Sequence, residues 1–134
     1  MQAARILETA LYVCDVAEAI KFYRDIIGLA PVGKVSERNA FFRCGDGILL
    51  LFKAEETLKP PAPGSLPVPP HGTTGPGHVC FAAARHEIDD WRTYLEQHDI
   101  AIESDFEWPN GARSIYFRDP SGNSLELAEP KLWS

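Results

Sequence analysis

Glu8, His78 and Glu126 are the residues whose types and settings point to chemistry. Glu8 and His78 each head a mostly apolar run, ETALYV and HVCFAA, and Glu126 stands within SLEL. A strand sends alternate side chains to opposite faces. Glu8 then shares a face with Ile6, Ala10 and Tyr12, His78 with Cys80 and Ala82, and Glu126 with Ser124 and Ala128. A carboxylate between two leucines is costly to bury unless it is paired, hydrogen-bonded or bound to metal. One imidazole and two carboxylates suit a divalent first-row ion such as Mn²⁺, Fe²⁺, Ni²⁺ or Zn²⁺. Three protein ligands would leave positions open for water or a chelating substrate, the pattern of a catalytic site rather than a closed structural one.

Such residues need elements to position them. Ile6 to Val13 reads as a strand, and Asp15 as the N-cap of a helix over Val16 to Ile27, with Glu18 in capping-box position. Gly28 suits the helix C-cap, and Leu29 to Val32 begins an extended segment. Asn39 to Arg43 and Ile48 to Phe52 form a hairpin around Cys44-Gly-Asp-Gly47. A Pro-rich stretch follows from Lys59 to Gly77, holding seven of the eleven prolines, so it reads as a semi-rigid connector. The plan then repeats: a strand over Gly77 to Ala83, a helix over Glu87 to His98, an extended Ile100 to Glu103, and a hairpin from Ser114 to Arg118 and Ser124 to Ala128. Trp91 and Tyr94 fall on the helix face expected to be core.

The repeat survives arithmetic. An offset of 75 lays Phe42, Arg43, Gly47 and Leu50 on the identical Phe117, Arg118, Gly122 and Leu125. An offset of 70 lays Glu8 on His78, Leu11 on Phe81 and Val13 on Ala83. The chain therefore reads as α+β, one domain over 1–134 made of two βαβββ modules: about 1–57, a connector at about 58–77, and about 78–134. If the copies pack as pseudo-symmetric partners, equivalent positions converge and gather Glu8, His78 and Glu126. The first-copy counterpart of Glu126 is Leu51 by the same offset, or Leu50 if the register slips by one.

The remaining candidates carry less. His71 in the connector and His86 and His98 at the ends of the second helix read as solvated side chains, and Arg43 and Arg118 as structural. Asp119-Pro-Ser-Gly-Asn123 reads as a turn without chemistry. Trp108, Arg113 and Leu51 are candidates for lining a substrate pocket.

Composition excludes several classes. The net charge of −6, with scattered Lys and Arg, leaves no basic stripe for nucleic acid. No apolar stretch approaches the roughly 20 residues of a membrane span, and Met1 to Arg5 leads into a strand pattern without a secretory hydrophobic region. Cys14, Cys44 and Cys80 form no CxxC pair, and Cys14 and Cys80 lie in apolar runs expected to bury reduced thiols. The expectation is a cytoplasmic protein.

Three segments carry a family resemblance. Glu8-Thr-Ala-Leu-Tyr-Val-Cys-Asp15 with Phe22-Tyr23 and Gly28-Leu29, then Gly77-His-Val-Cys-Phe81, then Tyr116-Phe-Arg-Asp-Pro-Ser-Gly-Asn-Ser-Leu-Glu-Leu127 resemble the vicinal oxygen chelate superfamily. That superfamily includes glyoxalase I, extradiol dioxygenases, fosfomycin-resistance transferases and metal-free bleomycin-binding proteins. The resemblance implies paired βαβββ modules forming a cupped open barrel, often in a homodimer, around a divalent metal. It places metal ligands at Glu8, where relatives usually have His, and at His78 and Glu126. The fourth ligand position of glyoxalase I falls on Leu51 (or Leu50), which leaves three.

Two functions follow as expectations. The first is a metal-dependent lyase, isomerase or ring-cleaving dioxygenase that chelates a small substrate through adjacent oxygens, with Glu8 or Glu126 as a carboxylate base. The alternative is a metal-free binding or resistance protein of the bleomycin-binding type, favoured by the leucine at the fourth position. A subunit with a vestigial site is a third reading.

Overall fold

The structure, a computed structural model, describes residues Met1–Ser134. The chain divides into two compact units, Met1–Gly75 and Pro76–Ser134. Each has the order β-α-β-β-β, the fold class expected from the repeat.

In the first unit β1 (Glu8–Tyr12) leads to α1 (Val16–Lys21), then β2 (Ala30–Val32), β3 (Asn39–Cys44) and β4 (Gly47–Phe52). The sheet order is β1-β4-β3-β2, with β1 parallel to β4 and the other pairs antiparallel. Asp15 caps α1 by accepting the Glu18 N–H at 3.1 Å. The helical pattern expected through Ile27 does not stay α-helical. After Lys21 it widens into a π-turn over Phe22–Ile26, where Ile27 N–H reaches Phe22 O at 3.0 Å. The widening keeps both Phe22 and Tyr23 in the core, and Gly28 ends the helix at φ +80°, a backbone conformation a side chain disfavours. Leu11, Val16, Ala19, Tyr23, Phe42 and Leu51 pack between α1 and the sheet. Full burial of an aliphatic or phenylalanine side chain contributes about 1.5–3 kcal/mol.

A short helix not foreseen from sequence, α2 (Ala54–Thr57), leads into the Pro-rich segment. That segment is built from tight turns. Ala62-Pro63-Gly64-Ser65 is closed by Ser65 N–H to Ala62 O at 3.1 Å, with Gly64 at φ +80°, the type II pattern that Pro-Gly favours. Beyond it, His71 N–H donates to Thr57 O at 3.0 Å, and His71 Nδ1 lies 2.7 Å from the Tyr12 hydroxyl, so the segment is tied back to β1.

In the second unit β5 (His78–Ala82) leads to α3 (Arg85–Gln97), β6 (Ser104–Glu107), β7 (Arg113–Arg118) and β8 (Ser124–Ala128), followed by a 3₁₀ turn at Pro130–Trp133. The order β5-β8-β7-β6 repeats that of the first sheet, again with the first strand parallel to the last. Ile88 and Leu95 of α3 meet Ile115, Phe117, Leu125 and Leu127 in the core. Trp91 and Tyr94, expected there, are only half-buried. The strand expected at Ile100 to Glu103 begins later. Asp99 at φ 59° and the Ile100 N–H to Leu95 O bond extend the helix cap, so pairing with β7 becomes regular only from Ser104.

The register fixes the equivalences. His78 lies beside Ser124 and Cys80 beside Glu126, while Glu8 lies beside Ile48 and Ala10 beside Leu50. The first-unit counterpart of Glu126 is therefore Leu50, not Leu51. Between the paired residues Arg43 and Ile48 run residues 44–47, whereas 119–123 separate Arg118 from Ser124, so the second turn is one residue longer. A one-residue shift sends a side chain to the other face, and Leu51 is fully buried in the first unit's core, not in a pocket. Cys14 and Cys80 are exposed as residues rather than buried as expected, and Cys44 is half-buried; all three are free thiols. No helix is long and apolar enough to cross a membrane.

Candidate metal centre

The second sheet brings His78 and Glu126 together. They sit on adjacent strands β5 and β8, on the face away from α3, with His78 Nε2 3.3 Å from Glu126 Oε2. The tautomer follows from the other ring nitrogen. His78 Nδ1 lies 2.9 Å from Ser124 O, and a carbonyl only accepts, so Nδ1 carries the proton. In a neutral imidazole that leaves a lone pair on Nε2 aimed at a carboxylate oxygen. Two acceptors at that distance call for a cation between them: a second proton on the ring or a metal ion. Fixing of a histidine tautomer by a backbone carbonyl is the usual outer-shell arrangement of metal-ligating histidine. The donor set therefore fits a divalent ion.

Glu126 is 4% exposed, and its burial is compensated on the β7 side. Ser114 Oγ donates to Glu126 Oε1 at 2.6 Å, and Trp108 Nε1 donates to Ser114 Oγ at 2.8 Å. Tyr116, beside Glu126 in the hairpin register, has its phenol pushed up to about 12 by burial and then by hydrogen bonding to that carboxylate, so it stays protonated. The Cys80 thiol is likewise pushed up to about 12, first by desolvation and then by the Glu126 charge, which makes it a poor nucleophile. Aromatic rings continue the wall. His78 stacks near Tyr116 with centroids 6.1 Å apart, Tyr116 on Phe106 at 5.8 Å, and Phe106 meets Trp108 at 5.0 Å. Phe106 is 41% exposed, which leaves an open aromatic edge beside the carboxylate.

The other expected residues are placed differently. Glu8 belongs to the first unit, exposed at the head of β1 on the face of Ala10 and Tyr12. Neither unit by itself gathers three His, Cys, Asp or Glu side chains in ligating positions. Trp108 joins the Glu126 network through its indole N–H. Arg113 does not line this face. Alternation along β7 puts it with Ile115 and Phe117 on the α3 side, where it pairs with Asp105 at 2.9 Å and with Asp89 of α3. Ser114, Tyr116 and Phe106 were missed by sequence reading. The signal was present in RSIYFR, whose alternation puts Ser114 and Tyr116 on the Glu126 face once the hairpin register is known. A separate recess of about 380 Å³ in the first unit is lined by Cys14, Val16, Ile20, Val35 and Lys53 among others and includes none of these residues.

Comparison with known proteins shows the family. The chain is 33% identical over 116 residues to the metallothiol transferase FosB of Staphylococcus haemolyticus, covering 86% of this chain and 76% of that protein. It is 30% identical over 129 residues to the virulence protein STM3117 of Salmonella typhimurium, covering 93% and 83%. The crystal structure of a lactoylglutathione lyase from Agrobacterium tumefaciens superposes with a TM-score of 0.94 at 44% identity, covering 100% of this chain and 99% of that one. A sequence model of the Glyoxalase/Bleomycin resistance protein/Dioxygenase superfamily matches residues 5–127, so the chain belongs to that superfamily.

Proposed function

We propose that this protein is a metal-dependent enzyme of the lyase or thiol-transferase type, acting on a small substrate that presents two adjacent oxygens. The observation that carries the reading is the His78–Glu126 pair, in which Nε2 of a histidine oriented by Ser124 O faces a buried carboxylate oxygen. A protein that only sequesters an apolar ligand has no physical need for a buried carboxylate held against an oriented imidazole. The names of similar proteins, a metallothiol transferase and a lactoylglutathione lyase, support thiol chemistry at a metal.

His78 through Nε2 and Glu126 through Oε2 are the ligands on the second unit, and we assign the third to Glu8. A bound divalent ion supplies Lewis acidity toward the substrate oxygens. The chain's own groups do the rest. Tyr116, protonated through neutral pH, offers an O–H donor beside Glu126. The exposed edge of Phe106 shields that side from water and accepts the substrate's apolar part. Glu8 or Glu126, once released from the ligand set, would serve as the proton acceptor when the substrate gives up a carbon-bound or thiol proton.

The test is the metal content of protein purified without chelator or nickel resin, set against Glu8→Ala, His78→Ala and Glu126→Ala. Near-stoichiometric metal lost in all three supports the triad. A folded wild-type protein that stays metal-free after reconstitution overturns the proposal and leaves ligand binding as the function to pursue.

A further inference from the structure

We infer that Trp108 and Ser114 are positioning residues: a one-directional hydrogen-bond relay from the indole through the hydroxyl holds Glu126 by Oε1 and leaves Oε2 turned toward His78. The roles in the metal centre rest on the proposed function; the relay itself does not. Its direction follows from donor inventory. An indole N–H can only donate, and an ionised carboxylate can only accept. Ser114 has one proton, and with Trp108 Nε1 donating to its Oγ at 2.8 Å that proton goes to Glu126 Oε1, at 2.6 Å, a charged and therefore stronger acceptor than the neighbouring Tyr116 hydroxyl.

The relay has few alternatives. Ser114 is fully buried and Glu126 nearly so, so water does not compete freely for either. With Oε1 engaged, Oε2 is the oxygen that faces His78 Nε2. Chains of this kind polarise one another in a low-dielectric setting, so the charge on Glu126 is felt at the indole N–H. Trp108 is held in turn by its β-turn, where Trp108 N–H donates to Ala112 O at 2.8 Å and Gly111 N–H to Trp108 O at 2.7 Å. The first unit has no such device, because Asn39 and Leu50 stand where Ser114 and Glu126 do.

The test uses the full chain and two readouts. In metal-free protein the three indole N–H resonances, from Trp91, Trp108 and Trp133, are followed by ¹H–¹⁵N NMR. Glu126→Gln, which keeps shape and removes charge, should move the Trp108 indole resonance upfield, and Ser114→Ala should move it further, with Trp91 and Trp133 unmoved. In Mn²⁺ titrations Ser114→Ala should weaken binding about 10–100-fold, the usual effect of removing an outer-shell partner. Trp108→Phe, which keeps the ring, should weaken it by less. A Trp108 resonance indifferent to Glu126→Gln overturns the relay, as does a folded Ser114→Ala protein that binds Mn²⁺ like wild type. If wild type binds no Mn²⁺ yet the Trp108 resonance responds as stated, the relay stands and the metal-centre reading fails.

Discussion

The two sheets share one strand order and one register, yet their faces away from the helix differ in kind. On the second, Ser114, Tyr116, Cys80 and Glu126 form a polar, hydrogen-bonded surface around His78. On the first, the matching positions are Asn39, Phe41, Ala10 and Leu50, beside an aromatic nest in which Phe41 meets Phe52 at 5.5 Å and His71 meets Phe52 at 4.8 Å. The helix-side cores are alike, with Phe42 and Phe117 both fully buried. A duplicated scaffold thus keeps its packing in both copies and concentrates its partnered polar groups in one. The comparison implies that core and face can be varied separately.

The largest effect should come from breaking what the halves share. Phe42→Ala and Phe117→Ala should each destabilise by about 3–5 kcal/mol, read by urea unfolding, because each empties a buried ring site. A large difference between them would show that the two cores are not equivalent. Exchanging what differs comes next. Leu50→Glu should destabilise by about 1–3 kcal/mol, since that position lacks the serine donor that serves Glu126. Glu126→Leu should lower metal-free stability by about 1–3 kcal/mol, because it strands the buried Ser114 hydroxyl, and should abolish metal binding.

Acid should separate the units further. Arg113, followed by Arg92, holds the Asp105 carboxyl below its ordinary range, and the Arg113 backbone N–H with nearby cations does the same for Glu129. A carboxylate depressed on folding stabilises the fold above its unfolded value, about 4, and that contribution is lost as pH falls through the folded value. The first unit's lowered carboxylates, Asp25 and Glu56, are in exposed local pairs that contribute little. Hydrogen exchange below pH 4 should therefore open the second unit before the first. The stability gap between wild type and Asp105→Asn should shrink over the same range. The smallest effect is Tyr12→Phe, which removes the hydroxyl that meets His71 and should cost about 0.5–1.5 kcal/mol.

Particular residues show how far the sequence could be read. Asp15 before a 3.6-period run announces α1, and SIYFR and SLELA around Asp119-Pro-Ser-Gly-Asn123 announce the last hairpin, whose first strand begins one residue earlier, at Arg113. Those are local signals, because caps, turns and alternation act within a few residues. Leu51 was misplaced because the extra residue in the second turn is invisible until strands are paired, and Arg113 because only the packed sheet shows which face of β7 lies under α3. The π-turn after Lys21, where Phe22 and Tyr23 are both buried, was likewise hidden, since the 3.6-residue period runs through it unchanged.

By itself, then, the sequence determined the two βαβββ units and the presence of His78 and Glu126 on strands, since hydrophobic period and turn chemistry are properties of short stretches. Only the tertiary structure decided that these two meet at 3.3 Å, that Ser124 O selects the histidine tautomer, and that Trp108 and Ser114 hold the carboxylate. Those contacts join residues 6 to 48 positions apart, and no local preference encodes which of them will face one another.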